Sequence, residues 1–131
     1  MSRELLKQLR PKIPTLIEDT STSVSEQFQN LTLRPILKLQ HELLVAIFHQ
    51  YIKLRKGTFH QLSDKMKLEY IRHSIQEDAK FKAMLIGLVV GHFTISEWQL
   101  YSLEEKELRR RLVELIIQRV QSHFAVEDME I

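Results

Sequence analysis

The sequence predicts an all-α fold, a compact bundle of about five helices with a loosely attached N-terminal arm. Three observations carry that prediction. Only three glycines and three prolines occur among 131 residues, and few fall inside periodic segments. Leu, Ile, Glu, Gln, Lys and Arg, which suit helix interiors, dominate the rest. No stretch shows the clean two-residue alternation of a half-buried strand, and there is no internal repeat or low-complexity tract.

The first 24 residues read as an arm. Met1–Leu9 suits a short helix with Leu5, Leu6 and Leu9 on one side, ended by Pro11 and Pro14. The run from Glu18 to Ser23 is linker chemistry. The arm is either mobile or docks its leucines on a partner. Residues 25–124 form the predicted bundle domain, and residues 125–131 an acidic tail.

Ser23 or Ser25 caps a short helix through Glu26–Leu31. Pro35 sits in the first turn of a long helix over Arg34–Lys56, which Gly57 ends. Projected at 100° per residue, Ile36, Leu43, Leu44, Ile47, Tyr51 and Leu54 share a face with Gln40 near its centre. Ser63 caps the next helix, Asp64–Glu77, with the stripe Leu68, Ile71 and Ile75. Asp78 either caps a further helix through Val90 or lies inside one continuous helix. That second piece is apolar nearly all round, with Gly87 admitting a close neighbour and Gly91 ending it. Thr94 and Glu97 match a capping box, with Phe93 and Trp98 spaced as a hydrophobic staple. Ser102 and Glu105 repeat the box ahead of a last helix, Leu103–Phe124. The broad apolar face of that helix predicts a central position or burial against a second subunit.

Composition excludes several chemistries. Without cysteine there is no disulfide scaffold, zinc ribbon, thiol nucleophile or iron–sulfur cluster. Three glycines leave no phosphate loop or dinucleotide fingerprint. The formal charge is +2, with ten basic and six acidic side chains in residues 1–65 and nine against eleven in residues 66–131. Charged residues interrupt the first ten positions, which lack a signal-peptide core. The most apolar window, Ala83–Val90, is far short of the ~20 residues of a spanning helix. A soluble cytoplasmic protein without a membrane association is expected.

Four residues are ligand-binding candidates: Arg34, Gln40, His41 and His92. An amide on an apolar face must find partners, because an unsatisfied buried polar group costs about 1–3 kcal/mol. Gln40 either bonds a neighbouring backbone while Arg34 ties down a helix start, or the two form with His41 a small polar pocket for an anion. His92, between a helix end and a helix start, is either a corner residue bonding exposed carbonyls or an acid-base or ligand-contact histidine. Glu69, His73 and Glu77 share a helix face and are the weak metal candidates, the alternative being a solvated face of i,i+4 pairs. Lys53, Arg55, Lys56 and Arg109–Arg111 are the residues a nucleic-acid binder would use. Glu105 and Glu107 lie four residues before Arg109 and Arg111, which favours salt-bridged pairs instead. No catalytic constellation, His-Glu-x-x-His motif or nucleophile elbow occurs.

The segments Phe28–Asn30, Leu33–Ile36, Gln40–Leu44, Gly91–Thr94 and Gln118–Arg119 together resemble an uncharacterised family of short all-helical bacterial proteins of about this length. The resemblance spans residues 25–124. Its members sometimes carry the label glyoxalase, which implies a small lyase. The usual metal-dependent glyoxalases are built from βαβββ modules with His and Glu ligands on strands, and no strand pattern occurs here. The residues favour a non-enzymatic helical domain that acts by binding, as a homodimer or with another protein, and without a cofactor. A small enzyme or ligand sensor with a site at Arg34, Gln40, His41 and His92 is the first alternative, and a weak nucleic-acid binder the second.

Overall fold

The computed structural model describes residues 2–12, 23–55 and 58–129. Every regular element among them is helical. In chain order, α1 is Arg3–Gln8, α2 Val24–Phe28, α3 Arg34–Leu39, α4 His41–Leu54, α5 Asp64–Glu77, α6 Ala79–Val90, α7 Ile95–Leu103 and α8 Glu105–Met129. A π turn at Gln29–Leu33 joins α2 to α3, and a 3-10 turn at Phe59–Gln61 precedes α5. None of the helices among the described residues is long and apolar enough to cross a membrane.

The axis of the fold is α8. It packs on α4, α5, α6, α7 and the π turn. Leu108, Leu112, Ile116, Ile117, Val120 and Phe124 are all buried within the single chain. The broad face behind the homodimer expectation is therefore covered by the chain's own helices. Phe48 of α4 meets Phe59, Phe81 and Phe124 with ring centroids 5.5–6.2 Å apart. Such pairs add about 0.5–1.5 kcal/mol each beyond their buried area.

Several helix starts follow the local chemistry. Ser23 accepts from the Glu26 amide, Ser63 from Met66 and Asp78 from Phe81. Asp78 is extended, with φ −90° and ψ 100°, so α5 and α6 are two helices. The Thr94–Glu97 capping box is formed in both directions.

Other expectations change. The long helix predicted over Arg34–Lys56 turns at Gln40, whose ψ of 7° leaves the helical region although Gln40 N and Leu44 N keep their four-residue bonds across it. Leu44 and Tyr51 of the predicted face are buried, and Val45, Phe48 and Ile52 join them, while Leu43 and Leu54 are exposed. Pro35 does not begin a separate helix. It follows the π turn without a break, and the widened ladder there accommodates its missing N–H. Lys56 and Gly57 lie outside the described residues. α6 buries only Phe81, Leu85, Ile86 and Val89, and Met84 is exposed. Gly87 is exposed too, and nothing lies within 4 Å of where a Cβ would stand, so it admits no close neighbour. Phe93 turns inward onto Phe28 and Tyr101, whereas Trp98 is exposed against Tyr101. Ser102 belongs to α7 and donates back to the Trp98 carbonyl instead of capping α8. The backbone of α8 continues through Met129, past the predicted end at Phe124.

The arm is held by its arginines, not by its leucines. α1 buries no residue, and Leu5 and Leu9 are exposed. Arg3 and Arg10, seven residues apart, reach the corner between α6 and α7. Among residues 2–12 the arm is thus tied to the body where a loose attachment was predicted. Residues 18–22 of the linker run lie outside the described residues.

Candidate functional site

Two polar sites meet at the junction of α3 and α4. The first is the corner at Gly91–Glu97. A helix C-terminus leaves carbonyls without intrahelical donors. Arg3 donates to the carbonyls of Gly91 and Phe93, and Arg10 Nη2 to that of His92 at 2.6 Å. Arg10 also grips Glu97 through two bonds of 2.7 and 2.8 Å, with the two side chains only 5% and 11% exposed. Thr32 donates its hydroxyl to Glu97 at 3.1 Å, and the Thr94 amide donates at 2.8 Å. Burial would raise the Glu97 carboxyl, but the bonds from Arg10 and Thr94 and the Arg10 charge hold it below the ordinary range.

His92 and Gln40 complete this corner. The Gln40 amide donates to His92 Nε2. Accepting there leaves the neutral ring's proton on Nδ1, which is buried and has no partner among the described residues. Burial first, then the charges of Arg10 and Arg3, lower the His92 pKa, so the ring is uncharged at neutral pH. Gln40 bonds this ring, not the backbone that was predicted. The corner carbonyls predicted as partners of His92 take arginine donors instead.

The second site lies on the other side of the same junction. Arg34 and Leu37 of α3, His41 of α4, and Leu115, Gln118, Arg119 and Ser122 of α8 line a cavity of about 240 Å³. Arg34 donates through Nε to Asn30 Oδ1 at 3.0 Å. Arg119 Nη1 lies 3.4 Å from His41 Nδ1, a ring nitrogen that must carry a lone pair to accept. Burial, then Arg119 and His123, lower the His41 pKa, with Glu42 opposing. Burial and Arg34 lower that of Arg119, which nonetheless stays charged at any physiological pH. An adjoining cleft shares His41 and Arg119 and is also lined by Leu9 and Pro11 of the arm.

No carboxylate lines the 240 Å³ cavity, and neither guanidinium has an acidic partner among the described residues. Larger clefts elsewhere bring their own carboxylates: Glu77 and Glu114 beside Arg109 and Arg110, and Glu77 and Asp78 beside Arg55. The chemistry therefore singles out the smaller cavity.

Of the predicted ligand residues, Arg34 and His41 share this cavity, while Gln40 and His92 bond each other behind it. Arg119 and Glu97 were missed as site residues. Arg119 carries a signal in the sequence: its helix neighbours at three and four residues are Leu115, Ile116, Ser122 and His123, none acidic. Arg110 and Arg111, by contrast, both pair with Glu107 at 2.7 and 2.8 Å. Arg55 pairs with Asp78 and covers the Tyr51 ring. Lys53 is exposed, and Lys56 lies outside the described residues. Glu69, His73 and Glu77 are exposed on α5, and no group of three His, Asp or Glu side chains among the described residues is placed to hold a metal.

Comparison with protein-family models, with curated proteins and with solved structures finds no match to this chain.

Proposed function

We propose that this protein is a non-enzymatic helical binding domain whose ligand is a small anion held between Arg34 and Arg119. One observation carries the reading: two part-buried guanidiniums share a cavity in which no carboxylate stands among the described residues. Bringing like charges out of bulk water is unfavourable, and an anion from solution supplies what the described residues do not. Gln118 and Ser122 add neutral polar groups, and Leu37 and Leu115 an apolar wall for a short carbon chain. The place is cytoplasmic, and membership of the resembled bacterial family is part of the same proposal. Its segments Leu33–Ile36, Gln40–Leu44 and Gln118–Arg119 supply four of the lining residues.

Calorimetric titration of the full chain at low ionic strength with phosphate, sulfate and short carboxylates tests the proposal. Binding of at least one of these, weakened about tenfold or more in Arg119→Gln, is expected, since a hydrogen bond to a charged group is worth about 1.5–3 kcal/mol. Failure of every anion to bind, or unchanged affinity in the variant, overturns it.

A further inference from the structure

We infer that the Arg34–His41–Arg119 pocket takes a dianion of the phosphate class, and that entry of this ligand carries a proton onto His41. The inference rests on the anion-binding reading and adds the ligand class and its coupling to protons.

His41 is held uncharged by what surrounds it. Arg119 donates to its Nδ1, which only an unprotonated nitrogen can accept. Cationic or protonatable groups face it from two elements: Arg34 and Lys38 from α3, Arg119 and His123 from α8. Among the described residues, Glu42 on its own helix is the single carboxylate of these neighbours, and the arm contributes Leu9 and Pro11. Burial acts in the same direction as the cations.

A dianion between Arg34 and Arg119 reverses that balance. It cancels both guanidinium charges and stands beside the imidazole, so the protonated ring becomes favoured and turns from acceptor to donor. A carboxylate monoanion cancels only one of the two charges. Guanidinium forks also match the oxygens of a phosphate group in paired bonds. The apolar wall of Leu37 and Leu115 leaves room for a short ester substituent within about 240 Å³. The balance is simple: free protein, dianion and one proton from solvent give the complex, and no bond in the ligand breaks.

The test uses the full chain with inorganic phosphate and glycerol phosphate as probes and acetate as the monoanion. Calorimetry in buffers of different ionisation heat counts the protons taken up at pH 7.5. Proton NMR of the His41 ring follows its titration with and without phosphate. Expected results are net proton uptake, once the proton released by the monoanionic fraction of the phosphate is counted, and a His41 midpoint raised by phosphate. Phosphate affinity then rises by up to about tenfold for each unit of falling pH while the ligand stays dianionic. Acetate binds more weakly with less uptake. His41→Gln weakens phosphate binding and loses the uptake, and the wild-type ring signal serves as readout if that variant does not fold or binds no phosphate. Phosphate binding without uptake and with an unmoved His41 midpoint overturns this inference and leaves the anion pocket standing. Acetate binding as tightly as phosphate removes the dianion assignment. Uptake that persists in His41→Gln places the proton elsewhere and refutes the role of His41. If none of the three anions binds, the pocket reading falls as well.

Discussion

Arginine is used in opposite ways on the two sides of the α3–α4 junction. At the corner, Arg10 meets Glu97 through two short bonds and a backbone carbonyl, and its charge is answered by the chain itself. In the cavity, Arg34 meets a neutral amide and Arg119 a neutral imidazole, and neither charge is answered among the described residues. A satisfied guanidinium fixes structure. An unsatisfied one costs stability and is available to a ligand. The contrast assigns the corner to holding the arm and the cavity to binding, although Gln40 and His41 are adjacent in the chain.

The largest effect is expected from Glu97→Gln. It leaves Arg10 without its counter-charge in nearly water-free surroundings. Breaking a fully buried pair costs about 3–5 kcal/mol. Here the arm can swing out and rehydrate Arg10, so urea unfolding is expected to report a loss of about 1–3 kcal/mol. Hydrogen exchange at residues 3–10 should accelerate in the same variant. An unchanged midpoint with unchanged exchange would mean that the corner holds nothing, and the contrast would collapse.

Acid should act in two steps, first on both sides and then on the corner alone. His92 and His41 both have folded pKa values below the ordinary 6.5. For a histidine lowered on folding, stability is fully present above 6.5 and is lost as pH falls below it, because the unfolded chain binds the proton first. Glu97 is lowered from 4.5, so its contribution is complete above that value and disappears as pH falls through the folded value. Unfolding measured at pH 7.5, 5.5 and 4 should therefore show two successive losses. The second should be smaller in Glu97→Gln. Added phosphate should shrink the first through His41 alone. Stability that stays level between pH 7.5 and 5.5 would contradict both histidine assignments.

Arg119→Gln should barely move stability at neutral pH, within about 0.5 kcal/mol and upward if at all, since it relieves repulsion from Arg34 and keeps a polar group. Its effect belongs to ligand affinity. A loss as large as that of Glu97→Gln would make Arg119 a structural residue and erase the difference between the sites.

How these features appear in the sequence follows their range. The caps at Ser23, Ser63, Asp78 and Thr94 are legible because donor and acceptor lie within three residues. The all-α class is legible because breakers are scarce along the whole chain. The turn at Gln40 is not, because no glycine or proline marks it. The Arg10–Glu97 pair spans 87 residues and no local pattern announces it. Arg34 and His41 are legible as polar interruptions of an apolar face, whereas Arg119 needs its acid-free helix neighbourhood to be noticed.

The smallest effect is expected at Asn30, and it bears most directly on why the two sites differ. Asn30 lies four residues before Arg34 and accepts from its Nε at 3.0 Å. Because the guanidinium is planar, fixing Nε orients the other two nitrogens. Asn30→Ala removes that guide while leaving every charge in place. Stability should change by less than about 0.5 kcal/mol, and anion affinity should fall about two- to fivefold, the worth of one ordinary hydrogen bond. Asn30→Asp is the sharper variant. It gives the cavity the carboxylate that the corner already has in Glu97. Stability should rise by a few tenths of a kcal/mol as Arg34 gains a counter-charge. Phosphate binding should weaken more than in Asn30→Ala, because the new charge competes for Arg34 and repels the ligand. Equal phosphate affinity in the two variants would show that counter-charge is not what separates the sites, and shape would have to take its place.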